Sequence, residues 1–177
     1  MKIKVKLLGK NTTMPKIIGK GDWIDLSLAE DVELAAPQSG TLKEITNKHG
    51  VHSRVRNVEL PITILPLGVA MKLPKGLEAV TVVRSSTPYK WGIVQANAYG
   101  VIDNTYCGND DEWKLPVFTL RHTTIKAGTR IAQFRVQLSQ KATVWQKIKW
   151  LFSNKIELVQ VNNLSKINRG GIGSTGD

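Results

Sequence analysis

Alternating apolar and polar residues run through most of the chain and predict short β-strands. Near the N-terminus, Ile3, Val5 and Leu7 alternate with lysines, which places the three apolar residues on one face of a strand. The same period of two links Leu65, Leu67, Val69, Met71 and Leu73. A turn-forming Pro-Lys-Gly sequence follows directly, so we predict that this strand ends there.

Further strands are predicted in the second half of the chain. The run from Ala79 to Val83 is apolar and β-branched throughout, as in a strand buried on both faces. Segments 115–120 and 131–138 add two more, and in the latter Phe134 and Val136 share one face. Many short strands and little helix predict an all-β sandwich, jelly roll or barrel, with no internal repeat.

One segment has a helical period instead. Between Thr143 and Phe152, the residues Val144, Ile148 and Leu151 recur at helical spacing, and lysines lie between them. We predict a short helix whose apolar stripe covers the sheet or a contact between subunits. A basic amphipathic helix for a membrane surface is the alternative.

Composition narrows the possible partners. The 177 residues include 25 Lys and Arg against 14 Asp and Glu, a net charge of +11 that favours an anionic partner. The length fits one domain with a substantial core. Cys107 is the only cysteine, which excludes a disulfide framework and a thiolate metal cluster and favours a reducing cytoplasm. The sequence has no signal-peptide pattern and no apolar run that could span a membrane, so no membrane partner is expected.

Two polar segments are predicted to be loops without a metal role. Segment 47–57 contains His49 and His52, but a zinc site usually needs three or four protein ligands. Segment 109–113 is acidic and is predicted to be an exposed loop between strands.

The candidate chemistry lies between Gly100 and Gly108, whose sequence is Gly-Val-Ile-Asp-Asn-Thr-Tyr-Cys-Gly. Asp103 follows two apolar residues, and a carboxylate held against an apolar wall is a candidate general base. Strict strand alternation would place Asp103 and Tyr106 on opposite faces. Both can meet one ligand only if the chain bends near Asn104.

This stretch resembles Gly-x-Ile-Asp-x-x-Tyr-x-Gly, the third of five motifs of the homotrimeric deoxyuridine triphosphatases (dUTPases). Four other segments resemble the remaining motifs in order: 21–27, 84–86, 128–133 and 168–177. Four positions depart from the family pattern. Asp22 and Trp23 replace a small pair, Thr129 replaces an acidic residue, and Ile172 stands where a phenylalanine usually stacks on uracil.

The resemblance implies a jelly-roll-like subunit in a closed homotrimer, with residues 1–163 as the β domain and 164–177 as a glycine-rich arm that closes an active site. It implies hydrolysis of dUTP to dUMP and pyrophosphate with Mg²⁺, in a cytoplasm that is the host's if the chain is viral. A dCTP deaminase of the same superfamily is one alternative. A regulatory or nucleic-acid-binding protein on this scaffold is another, although nucleic acid is not the expected partner.

The resemblance also assigns roles to residues. Asp103 would be the catalytic base, Asp25 would reach magnesium through water, and Arg130 would pair with carboxylates as a structural residue. The expected substrate-binding residues fall into a phosphate group, a group for uracil and deoxyribose, and the arm. They are Arg84, Ser85, Ser86 and Gln133 for phosphate; Asn97, Gly100, Val101, Ile102 and Tyr106 for the nucleoside; and Arg169, Gly171, Ile172, Ser174 and Thr175 in the arm.

Overall fold

The computed structural model describes residues 1–153 and 155–171, and almost all of its regular structure is β. The elements in chain order are β1 (Lys2–Leu7), β2 (Lys16–Ile17), β3 (Ile24–Ser27), β4 (Val32–Leu34), β5 (Gln38–Thr46), β6 (His52–Glu59), β7 (Ile62–Pro66), β8 (Val69–Lys72), β9 (Leu77–Val83), α1 (Thr87–Trp91), β10 (Ile93–Gln95), β11 (Gly100–Asp103), β12 (Lys114–Thr119), β13 (Thr123–Ile125), β14 (Arg130–Leu138), α2 (Val144–Leu151) and β15 (Glu157–Gln160).

The strands form several small sheets around one apolar core, which confirms the predicted all-β class. The largest sheet has the order β11-β9-β14-β3-β2, and two three-stranded sheets have the orders β15-β1-β8 and β10-β12-β7. Trp113 and Phe134 meet edge to face at the centre, with ring centroids 5.1 Å apart, and both are fully buried. Neighbouring strands are often distant in sequence, as expected for a jelly-roll-like fold.

The predicted strands are present, with two corrections. The strand predicted from Leu65 to Leu73 is interrupted at Gly68, whose φ of 66° lies in the left-handed region. All five apolar residues of that run are nevertheless buried. In β9 the prediction of burial on both faces was wrong, because Val80 and Val82 on the second face are only half-buried.

Segment 47–57, predicted to be a loop, is instead the turn and second strand of an exposed hairpin. Strands β5 and β6 pair antiparallel, and the side chain of Asn47 accepts hydrogen bonds from the N–H groups of His49 and Val51 at the turn. His52 hydrogen-bonds to the Thr46 hydroxyl at 2.9 Å. Among residues 1–153 and 155–171 there is no cluster of three metal-ligating side chains, so the two histidines belong to no such group.

Helix α2 confirms the predicted helix but not the predicted burial of its apolar stripe. Thr143 caps the helix, and its hydroxyl and the Gln146 side chain form a reciprocal capping box. Trp150 packs against the core, whereas Val144 and Leu151 are 68% and 76% exposed. The stripe therefore does not cover the sheet of its own chain. No helix in the described residues is both long and apolar enough to cross a bilayer.

The first part of the predicted arm packs back on the β domain. Ser165 forms a parallel bridge with Gly108, and the Leu164 N–H donates to the side chain of Asn109 at 2.9 Å. The predicted boundary at residues 163 and 164 stays a prediction. Ile172, Ser174 and Thr175 lie outside the described residues.

Candidate active site

The segment from β10 to β11, whose two strands belong to different sheets, forms one wall of a cavity of about 250 Å³. Gly100 lies opposite Thr81 of β9, and a Cβ at Gly100 would lie 2.4 Å from the Thr81 hydroxyl oxygen. Only glycine therefore fits this close approach between the strands. The cavity is lined by Asp103, by Thr81 of β9, by the predicted nucleoside group, by part of the arm and by four residues near β12: Thr81, Asn97, Gly100, Val101, Ile102, Asp103, Tyr106, Glu112, Trp113, Lys114, Pro116, Arg169, Gly170 and Gly171.

The bend required by the sequence is present directly after Asp103. Strand β11 ends at Asp103, and the Tyr106 N–H donates to the Asp103 carbonyl oxygen at 3.2 Å. The turn brings the Asp103 carboxylate and the Tyr106 ring to the same cavity. Two side chains that strict alternation would separate can thus act on one ligand.

The Asp103 carboxylate is held on both of its oxygens. Oδ1 accepts hydrogen bonds from the Thr105 N–H at 2.8 Å and the Thr105 hydroxyl at 2.5 Å, and Oδ2 accepts one from the Arg169 guanidinium. Partial burial opposes ionisation of Asp103, but the hydrogen bonds from Thr105 and Arg169 outweigh it and hold its pKa below the usual value. Asp103 is therefore an oriented anion at neutral pH.

Tyr106 is fixed by its hydroxyl, which donates to the Glu112 carbonyl oxygen at 2.8 Å. Burial, together with the charges of Asp111 and Glu112, raises the pKa of the Tyr106 phenol. The ring therefore stays neutral and presents its apolar face to the cavity. In the connection between β10 and β11, Asn97 Oδ1 accepts a hydrogen bond from the Gln95 amide at 2.9 Å, which leaves the Asn97 amide group free to donate.

Asp111 holds the arm against the cavity and was missed by the sequence analysis. Its carboxylate is 1% exposed and accepts hydrogen bonds from the N–H groups of Gly108, Arg169 and Gly170 at distances from 2.7 to 3.2 Å. The adjacent Asp110 exchanges two hydrogen bonds with Asn168. The predicted exposed loop at 109–113 is therefore wrong for Asp111 and for the buried Trp113. No local signal marks them, because their partners lie elsewhere in the chain.

A second group of predicted residues meets on the sheet β9-β14-β3. Asp25 is 4% exposed, and its two oxygens contact Arg84 Nε at 3.1 Å and Arg130 Nη1 at 2.8 Å. Gln133 lies directly opposite Asp25 in the strand register. Two guanidinium groups facing one carboxylate leave a net positive charge, which suits an anion. The predicted pairing of Arg130 with a carboxylate is present here.

The two predicted serines follow Arg84 at the entrance of α1. Ser86 is the N-cap residue of α1, yet its hydroxyl makes no capping hydrogen bond, and Ser85 is exposed. Neither serine hydroxyl caps the helix, so both remain available to an anion beside Arg84.

These two groups are separate within the described chain. The phosphate group of Arg84, Ser85, Ser86 and Gln133 does not line the Asp103 cavity. Residues 164–171 lie against residues 103–111 of their own chain, and the Arg169 guanidinium donates to the Asp103 carboxylate.

The comparisons with known proteins agree with one another. The sequence profile of the dUTPase family matches residues 58–176. The SPbeta prophage-derived deoxyuridine 5'-triphosphate nucleotidohydrolase YosS of Bacillus subtilis (strain 168) is 38% identical over 176 residues, covering 99% of each chain.

Solved structures share the fold at lower sequence identity. A Streptococcus mutans dUTPase has a TM-score of 0.59 at 22% identity and covers 79% of this chain and 98% of its own. A Staphylococcus bacteriophage 80alpha dUTPase with dUpNHpp has a TM-score of 0.57 at 18% identity and covers 99% and 98%. The fold and the family match define a jelly-roll-like nucleotide hydrolase. The chain belongs to the dUTPase family.

Proposed function

We propose that the chain hydrolyses dUTP to dUMP and pyrophosphate, with the deoxyuridine in the cavity beside Asp103. One observation carries the proposal: the turn after β11 brings an ionised carboxylate, Asp103, and a neutral aromatic ring, Tyr106, to one small cavity. Family membership supplies the reaction.

Asp103 acts as the general base. Its carboxylate orients a water and accepts the proton as the water oxygen bonds to the α-phosphorus. The bond from the α-phosphorus to the bridging oxygen breaks, and pyrophosphate leaves. The hydrogen bonds from Thr105 fix the carboxylate orientation before substrate binds, so the geometry needs little rearrangement.

The segment from β10 to β11 recognises uracil. The free amide of Asn97 and the main chain of Gly100, Val101 and Ile102 present donors and acceptors to the edge of the base. A pocket built for those hydrogen bonds leaves groups unpaired when cytosine enters, which can cost on the order of 10⁴-fold in rate. Tyr106 packs on the deoxyribose and leaves no space for a 2′-hydroxyl.

The residues predicted for phosphate, called here the Arg84 group, bind the phosphates. Arg84, Ser85, Ser86 and Gln133 supply guanidinium, hydroxyl and amide groups that suit phosphate oxygens. In the arm, Arg169 reaches the outer phosphates. The other predicted arm residues after it in the sequence are Ile172, Ser174 and Thr175. Positive charge around the leaving pyrophosphate offsets the charge that develops in the transition state.

The donor set fits a magnesium ion held mainly by the substrate. The described residues contain no cluster of three ligating side chains, and both Asp25 oxygens contact arginines, so Asp25 would act only through water. Magnesium keeps much of its hydration and is often bound through phosphates and one or two carboxylates. When bound, the ion would neutralise charge on the triphosphate.

Self-association would bring the two groups of site residues together. Ile62 of β7, Phe118 of β12 and Val94 of β10 lie in one row on the outer face of their sheet, and Ile62 is 64% exposed. Ile64, in the next row of β7, is 48% exposed. An apolar face of this kind is typical of an interface between subunits. A closed trimer would cover it and place the Arg84 group of one chain by the Asp103 cavity of another.

The test is pyrophosphate release from dUTP, dTTP, dCTP and UTP measured side by side with Mg²⁺. Release from dUTP alone is the expected result. A deaminated product from dCTP would favour the deaminase, although residues 100–108 contain no glutamate to serve that reaction. Salt-sensitive DNA binding without pyrophosphate release would favour a regulatory protein. We place the reaction in the cytoplasm, the host's if the chain is viral, where a prophage-derived relative would act.

A further inference from the structure

Helix α2 carries an apolar face that is turned away from its own chain. At about 100° per residue, five apolar side chains of α2 and its C-cap residue fall within an arc of about 120° around the helix axis. All five are exposed, from 38% to 80%: Val144, Trp145, Ile148, Leu151 and Phe152. Exposed apolar patches of this kind mark interaction surfaces.

The opposite face fixes this orientation. Gln146 packs against Gly76 and completes the capping box with Thr143, and Trp150 packs against the core. The helix is therefore attached through the face that carries Gln146 and Trp150. A rotation of the helix that buried the apolar face would break these contacts.

The charged residues of the helix itself are all lysines, and beside it Lys2 pairs with Glu157 at 3.8 Å on the exposed surface. Lys147 and Lys149 flank the apolar arc on its two sides, and residues 139–156 contain no Asp or Glu. Beside the helix, a cleft of about 560 Å³ lies against β1 and β8. Its rim carries five lysines over an apolar floor that includes Leu73 and Trp150: Lys2, Lys4, Lys72, Lys75 and Lys149.

We propose that α2 and the adjacent lysine cleft dock on an anionic lipid surface. The apolar arc enters the interface, led by Trp145 and Phe152, and the lysines bind lipid phosphates. This peripheral contact differs from the expectation of no membrane partner. It needs no spanning segment, and it goes beyond the proposed hydrolysis of dUTP.

Other occupants fit these observations less well. A symmetric contact between two α2 helices would bring the lysines of both copies together, and like charges oppose such a contact. Nucleic acid would satisfy the lysines but would leave aliphatic side chains such as Val144 and Leu151 without an apolar partner. A bilayer surface supplies both the anionic phosphates and the apolar interior.

The experiment is flotation with vesicles of equal parts phosphatidylglycerol and phosphatidylcholine, compared with pure phosphatidylcholine. The wild-type chain should float with the anionic vesicles, and added salt should weaken the binding. Replacing Trp145→Ser together with Phe152→Ser should lower the partition coefficient on the order of a hundredfold. Replacing Lys147→Gln together with Lys149→Gln should lower it by about fivefold per lysine.

Matched controls lie on the exposed β5–β6 hairpin. Val51→Ser with Val58→Ser removes comparably exposed apolar groups, and Lys43→Gln with Lys48→Gln removes the same charge. Both controls should float as the wild type does. All four variants should hydrolyse dUTP at the wild-type rate, which would show that they fold. If the wild-type chain did not hydrolyse dUTP, the flotation result would still stand by itself.

Three results would overturn the proposal. The first is absence of flotation, or equal loss in the hairpin controls. The second is a changed oligomeric mass in the Trp145→Ser, Phe152→Ser variant with unchanged flotation, which would assign the helix to a subunit contact. The third is duplex DNA binding that depends on Lys147 and Lys149 while vesicles are not bound.

Discussion

The buried carboxylate of Asp111 accepts hydrogen bonds from the backbone N–H of Arg169 at 2.9 and 3.1 Å. The two residues are 58 positions apart, and the bond fixes the arm at the point where the Arg169 side chain turns towards Asp103. Asp111 thereby positions Arg169 beside Asp103, the proposed general base, without a hydrogen bond to Asp103 itself.

Replacing Asp111→Asn should loosen the arm. The amide keeps one acceptor oxygen but loses the charge that strengthens three backbone hydrogen bonds, each worth about 1.5–3 kcal/mol when the acceptor is ionised. We expect faster proteolysis after Arg169 and a fall in kcat/KM for dUTP of about 10–100-fold. Asp110→Asn is the matched control, because Asp110 lies on the exposed side of the same contact. Equal proteolysis of both variants would show that Asp111 does not anchor the arm.

Replacing Asp103→Asn should separate binding from chemistry. The amide preserves the shape of the cavity but cannot accept a proton from water, so we expect kcat to fall by about 10²–10⁴-fold. Binding of dUTP, measured by calorimetry, should change little. Turnover at the wild-type rate would refute the role of Asp103.

The pKa of Asp103 gives a prediction for the effect of pH. Its pKa is below the ordinary value in the folded chain, so ionised Asp103 stabilises the fold above the unfolded-state pKa, and that contribution is lost as pH falls through the folded pKa. Removing one of its donors by Arg169→Gln should raise the pKa of Asp103. Carboxyl ¹³C NMR titration of the nucleotide-free chain measures it directly, and Arg121→Gln, whose side chain hydrogen-bonds carbonyl oxygens of α1, is the control. An unchanged pKa in Arg169→Gln would show that the ion pair does not hold Asp103 ionised.

The sequence was sufficient wherever a local pattern decides the structure. Ile3 and Val5 are buried as their alternation predicts. The bend predicted between Asp103 and Tyr106 is present as a hydrogen-bonded turn. Burial that depends on distant partners was not predictable. Asp111 is buried because backbone donors of the arm surround it, and nothing near Asp111 in sequence signals those donors.

Helix α2 shows a second limit. The period of its apolar residues identifies a helix, but a period cannot say whether the apolar face meets the core of the same chain or an external surface. Here Trp150, which lies off the stripe, provides the attachment, and Val144 and Leu151 remain exposed.

The close approach of Gly100 to Thr81 can be tested by adding a methyl group. Gly100→Ala would place a Cβ 2.4 Å from the hydroxyl of Thr81, a stiff side chain that is 2% exposed. Overpacking of this kind typically costs about 1–3 kcal/mol, and displacement of β11 should also raise KM for dUTP. Adding Thr81→Ala should restore part of both losses, and denaturant unfolding of the four chains in the double-mutant cycle measures the coupling. Additive effects would show that the two residues do not constrain each other.

Replacing Asp25→Asn should destabilise the chain, because Asp25 is only 4% exposed and is the shared counterion of Arg84 and Arg130. Removing one partner from a buried ionic group typically costs about 3–5 kcal/mol, since the remaining charges lose their counterion. Chemical unfolding should show this loss of unfolding free energy. Because Asp25 would no longer hold Arg84 in place, KM for dUTP should also rise. Asp31→Asn is the control, since Asp31 pairs with Lys126 at 2.7 Å on the exposed surface, where ion pairs contribute little. The Asp31 variant should unfold at the wild-type denaturant concentration. If the Asp25 variant did the same, the Asp25 carboxylate would not stabilise the fold as the counterion of the two arginines.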